Sequence, residues 1–282
     1  MPSALLDGIA TRYEVAGSGP PLLMFSPGGF DARIEKWSDL GIYAKTRMLD
    51  HLSRHYRCIL FDRRECGQSG GRVERITWAD YARQGKALLD HLGIESAHLM
   101  GGCMGCSPVA AFATLYPQSV RSMVLYWPVG GARYRIQAHQ RFADHLRYVD
   151  SHGLAGVVAL VKESGLPFGA DPRGGPWASV IKHDGDFAAH YAGLDVEPYK
   201  SIAGAMARGL FDRDTAPGAE AEDLLTCAIP ALVVPGADAS HATSAARYLA
   251  ECLPKSDYWN MDVEGQSETA TAARLLGFLD TH

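Results

Sequence analysis

The sequence predicts an α/β protein: a mainly parallel eight-stranded sheet with helices on both faces and a helical lid inserted after the sixth strand. Three observations carry that prediction. Short apolar runs of strand length recur along the chain, and amphipathic helical segments separate most of them. The alternation then stops for about ninety residues, between positions 133 and 220, and resumes near the C-terminus. Strand, helix, strand in repetition buries each strand between two helical layers and favours parallel pairing.

The elements follow in order. Residues Ala4 to Ala16, with Asp7-Gly8 at the turn, read as an antiparallel hairpin on one sheet edge. PLLMFS (21–26), RCILF (57–61), AHLMG (97–101), RSMVLYW (121–127), PALVVPG (230–236) and DYWNM (257–261) read as buried strands. TWADYARQGKALLDHLGI, CSPVAAFATLYP and SAARYLAECLP repeat apolar residues three to four apart, as crossover helices do. The intervening stretch offers RIQAHQRFADHLRYVDSHG, FAAHYAGL and SIAGAMARGLF as helical pieces, a Gly/Pro-rich loop GLPFGADPRGGPW, and no strand. The expected organisation is a core of residues 1–132 and 221–282 with a cap of residues 133–220 over the strand C-termini.

Composition excludes several classes. With 282 residues, a formal net charge of −5 and no run of Lys/Arg, the chain is not built to bind nucleic acid. No apolar run reaches spanning length, and MPSALLDGIATRYEVAG lacks a signal-peptide pattern. Six irregularly spaced cysteines are not a disulfide framework, so a reducing, cytoplasmic location is expected. The densest basic cluster, Arg133-Tyr134-Arg135 with Arg141 and Arg147, reads as a solvated helix face, with carboxylate or phosphate binding as the alternative.

The chemistry concentrates in HLMGGCMGCSP (98–108), where Gly101-Gly102-Cys103-Met104-Gly105 has the form G-x-C-x-G. A nucleophile at a sharp strand-to-helix turn needs small neighbours at minus two and plus two, so that strand and helix can approach it. AHLMG supplies the strand, and the helix that follows carries Pro108 in its first turn. A buried inert cysteine is the competing reading. Cys103 and Cys106 also form C-x-x-C, but in mid-chain rather than after the first strand of a small redox fold. No His/Cys spacing suggests zinc.

These pieces resemble the α/β-hydrolase superfamily over nearly the whole chain, and in its order. Ser26-Pro27-Gly28-Gly29-Phe30 stands where the family builds half of its oxyanion hole. Phe61-Asp62-Arg63-Arg64-Glu65-Cys66-Gly67-Gln68-Ser69 resembles its D-x-R-G-x-G-x-S segment. Gly236-Ala237-Asp238 resembles the G-x-D that supplies the catalytic acid. The resemblance implies Cys103 as nucleophile, Asp238 as acid, and an oxyanion hole from the Met104 amide with that of Gly28 or Gly29. It also exposes a departure. Gln266 occupies the place of the catalytic histidine, in Glu264-Gly265-Gln266-Ser267-Glu268, and glutamine takes no proton near neutral pH. A thiol is partly ionised without a base, whereas a serine hydroxyl is not, so cysteine and glutamine at these two sites are mutually consistent.

The water that opens an acyl-cysteine still needs a base. The candidates are Glu264, Glu268 and His241, with His183 and His190 reaching down from the cap as further options. The expectation is a cofactor-independent hydrolase of a small ester, thioester or lactone, using Cys103 in a triad without the usual histidine. A lyase-type enzyme on the same fold and an inactive ligand-binding protein stay open. The cap aromatics Tyr134, Phe142, Tyr148, Phe168, Trp177, Phe187 and Tyr191 suggest an apolar or aromatic acyl group, though such residues also serve as packing. A small-molecule substrate is the only partner expected, with no nucleic acid and no membrane; homodimerisation is left open.

Overall fold

In the computed structural model, which describes residues 2–282, the hairpin comes first. Strands β1 (Ser3–Leu6) and β2 (Ile9–Ala16) pair antiparallel across Asp7-Gly8, both at positive φ. Next come β3 (Pro21–Phe25), the short helices α1 (Lys36–Asp39), α2 (Gly41–Thr46) and α3 (Met48–Leu52), and β4 (Arg57–Phe61). Helix α4 (Trp78–His91) opens on a capping box: the Asp80 amide donates to Thr77 Oγ1, and the Thr77 amide to the Asp80 carboxylate. Strand β5 (Ala97–Gly102), helix α5 (Cys106–Leu115) and β6 (Val120–Tyr126) follow.

The eight strands form one sheet in the order β1-β2-β4-β3-β5-β6-β7-β8, where β7 is Ala231–Val234 and β8 is Ser256–Tyr258. The β1–β2 and β2–β4 pairings are antiparallel; the other pairings among the described strands are parallel. Strand β8 ends sooner than the apolar run DYWNM suggests. Beyond Tyr258 the Trp259 amide still bonds the Val233 carbonyl at 3.0 Å, and the chain then leaves the sheet.

Between β6 and β7 lie α6 (Ala132–Ser164), broken at Gly153 with φ 65°, then α7 (Ala178–His183), α8 (Gly185–Ala192), α9 (Val196–Leu210) and α10 (Ala221–Thr226). Helices α11 (Thr243–Cys252) and α12 (Glu268–Leu279) complete the chain. Among the described residues no helix is long and apolar enough to cross a membrane.

Alternation along each strand divides the core into two layers. Leu23 and Phe25 of β3 join Tyr81, Leu88, Val109 and Phe112 from α4 and α5. Leu22 and Met24 face Trp37, Tyr43 and Met48 on one side of the sheet, with Leu275 and Phe278 of α12. All six residues of β5 are buried, as expected of a central strand covered on both faces. The register aligns the strand ends: Phe25 pairs with Phe61 and Gly101, Gly102 with Tyr126, and Tyr126 with Val234. The loops after β3, β5, β6 and β7 therefore leave from one sheet edge.

Candidate active site

Cys103 sits at the turn between β5 and α5 with φ 54°, in the left-handed region. For a residue with a side chain this costs about 1–3 kcal/mol and persists only where its surroundings enforce it. Two glycines provide the space. A Cβ at Gly101 would collide with the Gly105 carbonyl, and one at Gly105 with the Phe25 carbonyl. The turn leaves Cys103 half-buried, while residues 106–113 of α5 are buried. Cys106, by contrast, is buried and donates to the Gly101 carbonyl at 3.1 Å, so the second half of the C-x-x-C pair is a packing residue.

Asp238 and His241 share one tight loop after β7. Asp238 Oδ1 accepts the amides of Ser240 and His241 at 2.8 and 2.9 Å, folding the loop so that His241 Nδ1 lies 2.9 Å from both carboxylate oxygens. The Gly130 amide bonds the Ser240 carbonyl at 3.0 Å, pinning the loop to the segment after β6. Gly236 leaves room for it: a Cβ there would stand 2.6 Å from His241 Cβ and 3.0 Å from the Trp127 ring. His241 Nε2 is buried, with no hydrogen bond of regular geometry, and the imidazole adjoins Cys103. The expectation drawn from Gln266, that no histidine completes the Cys103–Asp238 pair, is therefore not met. His241, three residues after Asp238 on the same loop, adjoins the thiol, and Asp238 faces His241 rather than residue 266.

The electrostatics of the pair are mutual. Burial alone would push the Cys103 thiol up, but His241 and the Gly28 and Met104 amides outweigh it and hold the thiol below its ordinary value. Burial alone would push His241 down, yet the Cys103 sulfur and the Asp238 carboxylate raise it to about 9. These opposite shifts favour a thiolate–imidazolium pair. Asp238, half exposed, lies below its usual range: burial would raise it, and His241 and the loop amides more than offset that.

Met104 and Gly28 supply the amides directed at the sulfur. Of the two glycines left open by sequence, Gly28, at φ 113°, is the one whose amide meets the sulfur. Gly29 plays another part: its carbonyl accepts the buried guanidinium of Arg63, which lies over the Tyr81 ring at 4.3 Å. That contact holds the loop after β3 against the core.

Gln266 is fully buried and its amide is saturated. Its Oε1 accepts from Trp127 Nε1 at 2.7 Å and Tyr126 Oη at 3.0 Å; its Nε2 donates to the carbonyls of Pro235 at 2.8 Å and Met261 at 3.3 Å. The Trp127 ring it holds lies beside His241, centroids 5.4 Å apart. Gln266 thus ties the loops after β6, β7 and β8 together behind the histidine. Gln266→Leu is expected to lower the unfolding free energy by about 3 kcal/mol, since it strands several buried polar groups. Urea denaturation checks this.

The remaining candidates lie elsewhere. Glu264 is exposed, in a depression beside Asp238 that Cys103 does not line. Glu268 pairs with His51 at 2.8 Å. His183 and His190 border surface depressions away from the thiol. Cys103 and His241 instead open into a cavity of about 370 Å³ between the sheet edge and the inserted helices. Tyr134, Phe142 and Phe168 from the predicted aromatic set line it, joined by Phe30 and Phe211. Trp177 and Tyr191 pack around Tyr199 within the insertion, Tyr148 stacks on His152, and Phe187 borders a different depression.

Comparison with known proteins agrees with this architecture. The family model described as alpha/beta hydrolase fold matches residues 21–157. A hydrolase structure from Pseudomonas aeruginosa superposes with TM-score 0.65 at 21% identity, covering 99% of this chain and 97% of that one. The enol-lactonase from Burkholderia xenovorans superposes with TM-score 0.63 at 18% identity, covering 99% and 100%. The chain has the α/β-hydrolase fold. Among curated relatives, it is 33% identical over 126 residues to 2-hydroxy-6-oxo-6-phenylhexa-2,4-dienoate hydrolase of Comamonas testosteroni, covering 44% of this chain and 42% of that one. It is 34% identical over 125 residues to the dihydrolipoyllysine-residue acetyltransferase component of the acetoin cleaving system of Cupriavidus necator, covering 44% and 31%. The alignments thus span less than half the length of these relatives.

Proposed function

We propose that this protein is a cofactor-independent hydrolase of small esters, thioesters or lactones, with Cys103 as nucleophile, His241 as acid and base, and Asp238 as the group that orients His241. The observation that carries the reading is the series Cys103, His241, Asp238, with two amides aimed at the sulfur. Hydrolases among the fold's neighbours and relatives support it.

In the first half-reaction the Cys103 thiolate attacks the carbonyl carbon. The carbonyl electron pair moves to oxygen, which the Met104 and Gly28 amides receive; such donors stabilise an oxyanion by about 3–4 kcal/mol each. As the intermediate collapses, the bond to the leaving oxygen or sulfur breaks, and imidazolium His241 supplies the departing group with its proton. A thioester on Cys103 remains.

Acylation also resets the histidine. The sulfur no longer carries charge, so the strongest influence raising His241 disappears, and the ring becomes a neutral base near physiological pH. It removes a proton from water as the oxygen bonds to the acyl carbon. Collapse then expels the thiolate and leaves a carboxylic acid, and His241 is again protonated. Asp238 keeps Nδ1 protonated throughout, leaving Nε2 to face the reaction.

Intact-mass measurement during turnover of a panel of aryl esters tests this reading. The expected result is one acyl adduct, mapped to Cys103 and discharged on standing. Turnover with an adduct elsewhere, or complete resistance of the enzyme to acylation by every ester, would overturn it.

A further inference from the structure

The cavity beside Cys103 contains a cation that the proposed chemistry does not use. Of the basic cluster noted in the sequence, Arg135 is taken by Asp214 at 3.2 Å and by the Phe211 carbonyl, and Arg147 is taken by Asp144. Arg133 is exposed. Arg141 alone of the four lines the cavity, half-buried, and among the described residues it pairs with no carboxylate. Among the described residues, no Asp or Glu lines that cavity.

Helical geometry explains the placement. Tyr134, Ala138, Arg141 and Phe142 fall at i, i+4, i+7 and i+8 of α6, which is one face, and all four border the cavity. The lining of the same cavity is largely apolar and includes Phe30, Phe168 and Phe211. A guanidinium half-buried at an apolar cavity loses part of its hydration, and without an anion that loss is uncompensated. Its planar fork offers two parallel N–H groups, which match a carboxylate.

The substrate's orientation follows from the site's two sides. Arg141 stands on α6, and His241, which protonates the leaving group, stands on the loop after β7, so the leaving group is placed on the His241 side. The acyl chain then runs the other way, under the cap and toward α6. We propose that Arg141 is a specificity determinant that binds a carboxylate on the acyl part of the substrate. The preferred substrates are thus half-esters, half-thioesters or lactones of acids bearing a second carboxylate, with an apolar segment between the two ends. This rests on the hydrolase reading above and names its substrate class.

Two p-nitrophenyl esters of similar length test it: the half-ester of glutaric acid and the ester of pentanoic acid. The wild type is expected to favour the glutarate half-ester in kcat/KM. In Arg141→Gln the ratio of the two kcat/KM values should fall by about thirtyfold or more, the loss expected for a charge-assisted bidentate contact. Arg141→Lys should recover only part of it, because a point charge does not reproduce the fork. A ratio unchanged by Arg141→Gln, or a wild-type preference for the pentanoate, would overturn the assignment.

A second readout needs no turnover. Glutarate should slow iodoacetamide alkylation of Cys103 in the wild type and lose that protection in Arg141→Gln, while pentanamide should protect neither. Equal protection of both proteins by glutarate would also overturn the assignment. If Arg141-dependent protection appears but no ester acylates Cys103, the carboxylate site stands and the hydrolase reading fails.

Discussion

Cys103→Ala is expected to lower kcat/KM on any ester the protein cleaves by about five to six orders of magnitude, and to abolish the acyl adduct. That is the scale of loss when the nucleophile of a preorganised acyl-transfer site is removed. The fold should survive the change. Cys103 is half-buried and lines the cavity, and alanine removes the sulfur from a position at φ 54° without adding a group to it. Unchanged thermal unfolding beside lost turnover would assign the effect to chemistry. Retention of more than a few per cent of the activity would show that the thiol is not the attacking group.

Removing His241 should have the next largest effect. His241→Ala takes away the proton donor for the leaving group, the base for the water, and the positive charge that holds the thiol ionised. General acid–base catalysis by one side chain contributes about a hundredfold to ten-thousandfold, and a loss near a thousandfold is expected here. Acylation should suffer less than deacylation, because a thiolate can attack without assistance once formed. The acyl adduct should therefore persist longer in the variant than in the wild type. The pH profile of kcat/KM adds a sign. Acylation requires thiolate and imidazolium together, so the rate should rise as the thiol ionises, below its ordinary value, and fall as His241 loses its proton near 9.

Much of this was legible in the sequence because the physical signals were local. The central strands are buried on both faces, so they read as continuous apolar runs, as AHLMG did for β5. The hairpin announced itself through Asp7-Gly8, and the elbow through glycines two residues either side of Cys103. The long strand-free stretch marked the inserted helices. The histidine was less legible. Conventional placement put attention on residue 266, and nothing in a linear sequence says that a glutamine there is saturated by four hydrogen bonds. The signal that could have singled out His241 is the D-x-x-H spacing. An aspartate that caps the amides two and three residues on brings the side chain at i+3 back over its own carboxylate. The different contacts of Gly28 and Gly29 were equally invisible, since they depend on how the loop after β3 folds and on Arg63, from another strand's loop, donating to the Gly29 carbonyl.

The central claim is that His241, and not a group near position 266, is the partner of Cys103. The rate of Cys103 alkylation by iodoacetamide, followed against pH in the wild type and in His241→Gln, addresses it most directly. It reads the ionisation of the thiol itself and needs no substrate. The account predicts a wild-type midpoint below 9, and a midpoint moved upward in His241→Gln, where burial acts without the opposing imidazolium. Coincident profiles for the two proteins would contradict it.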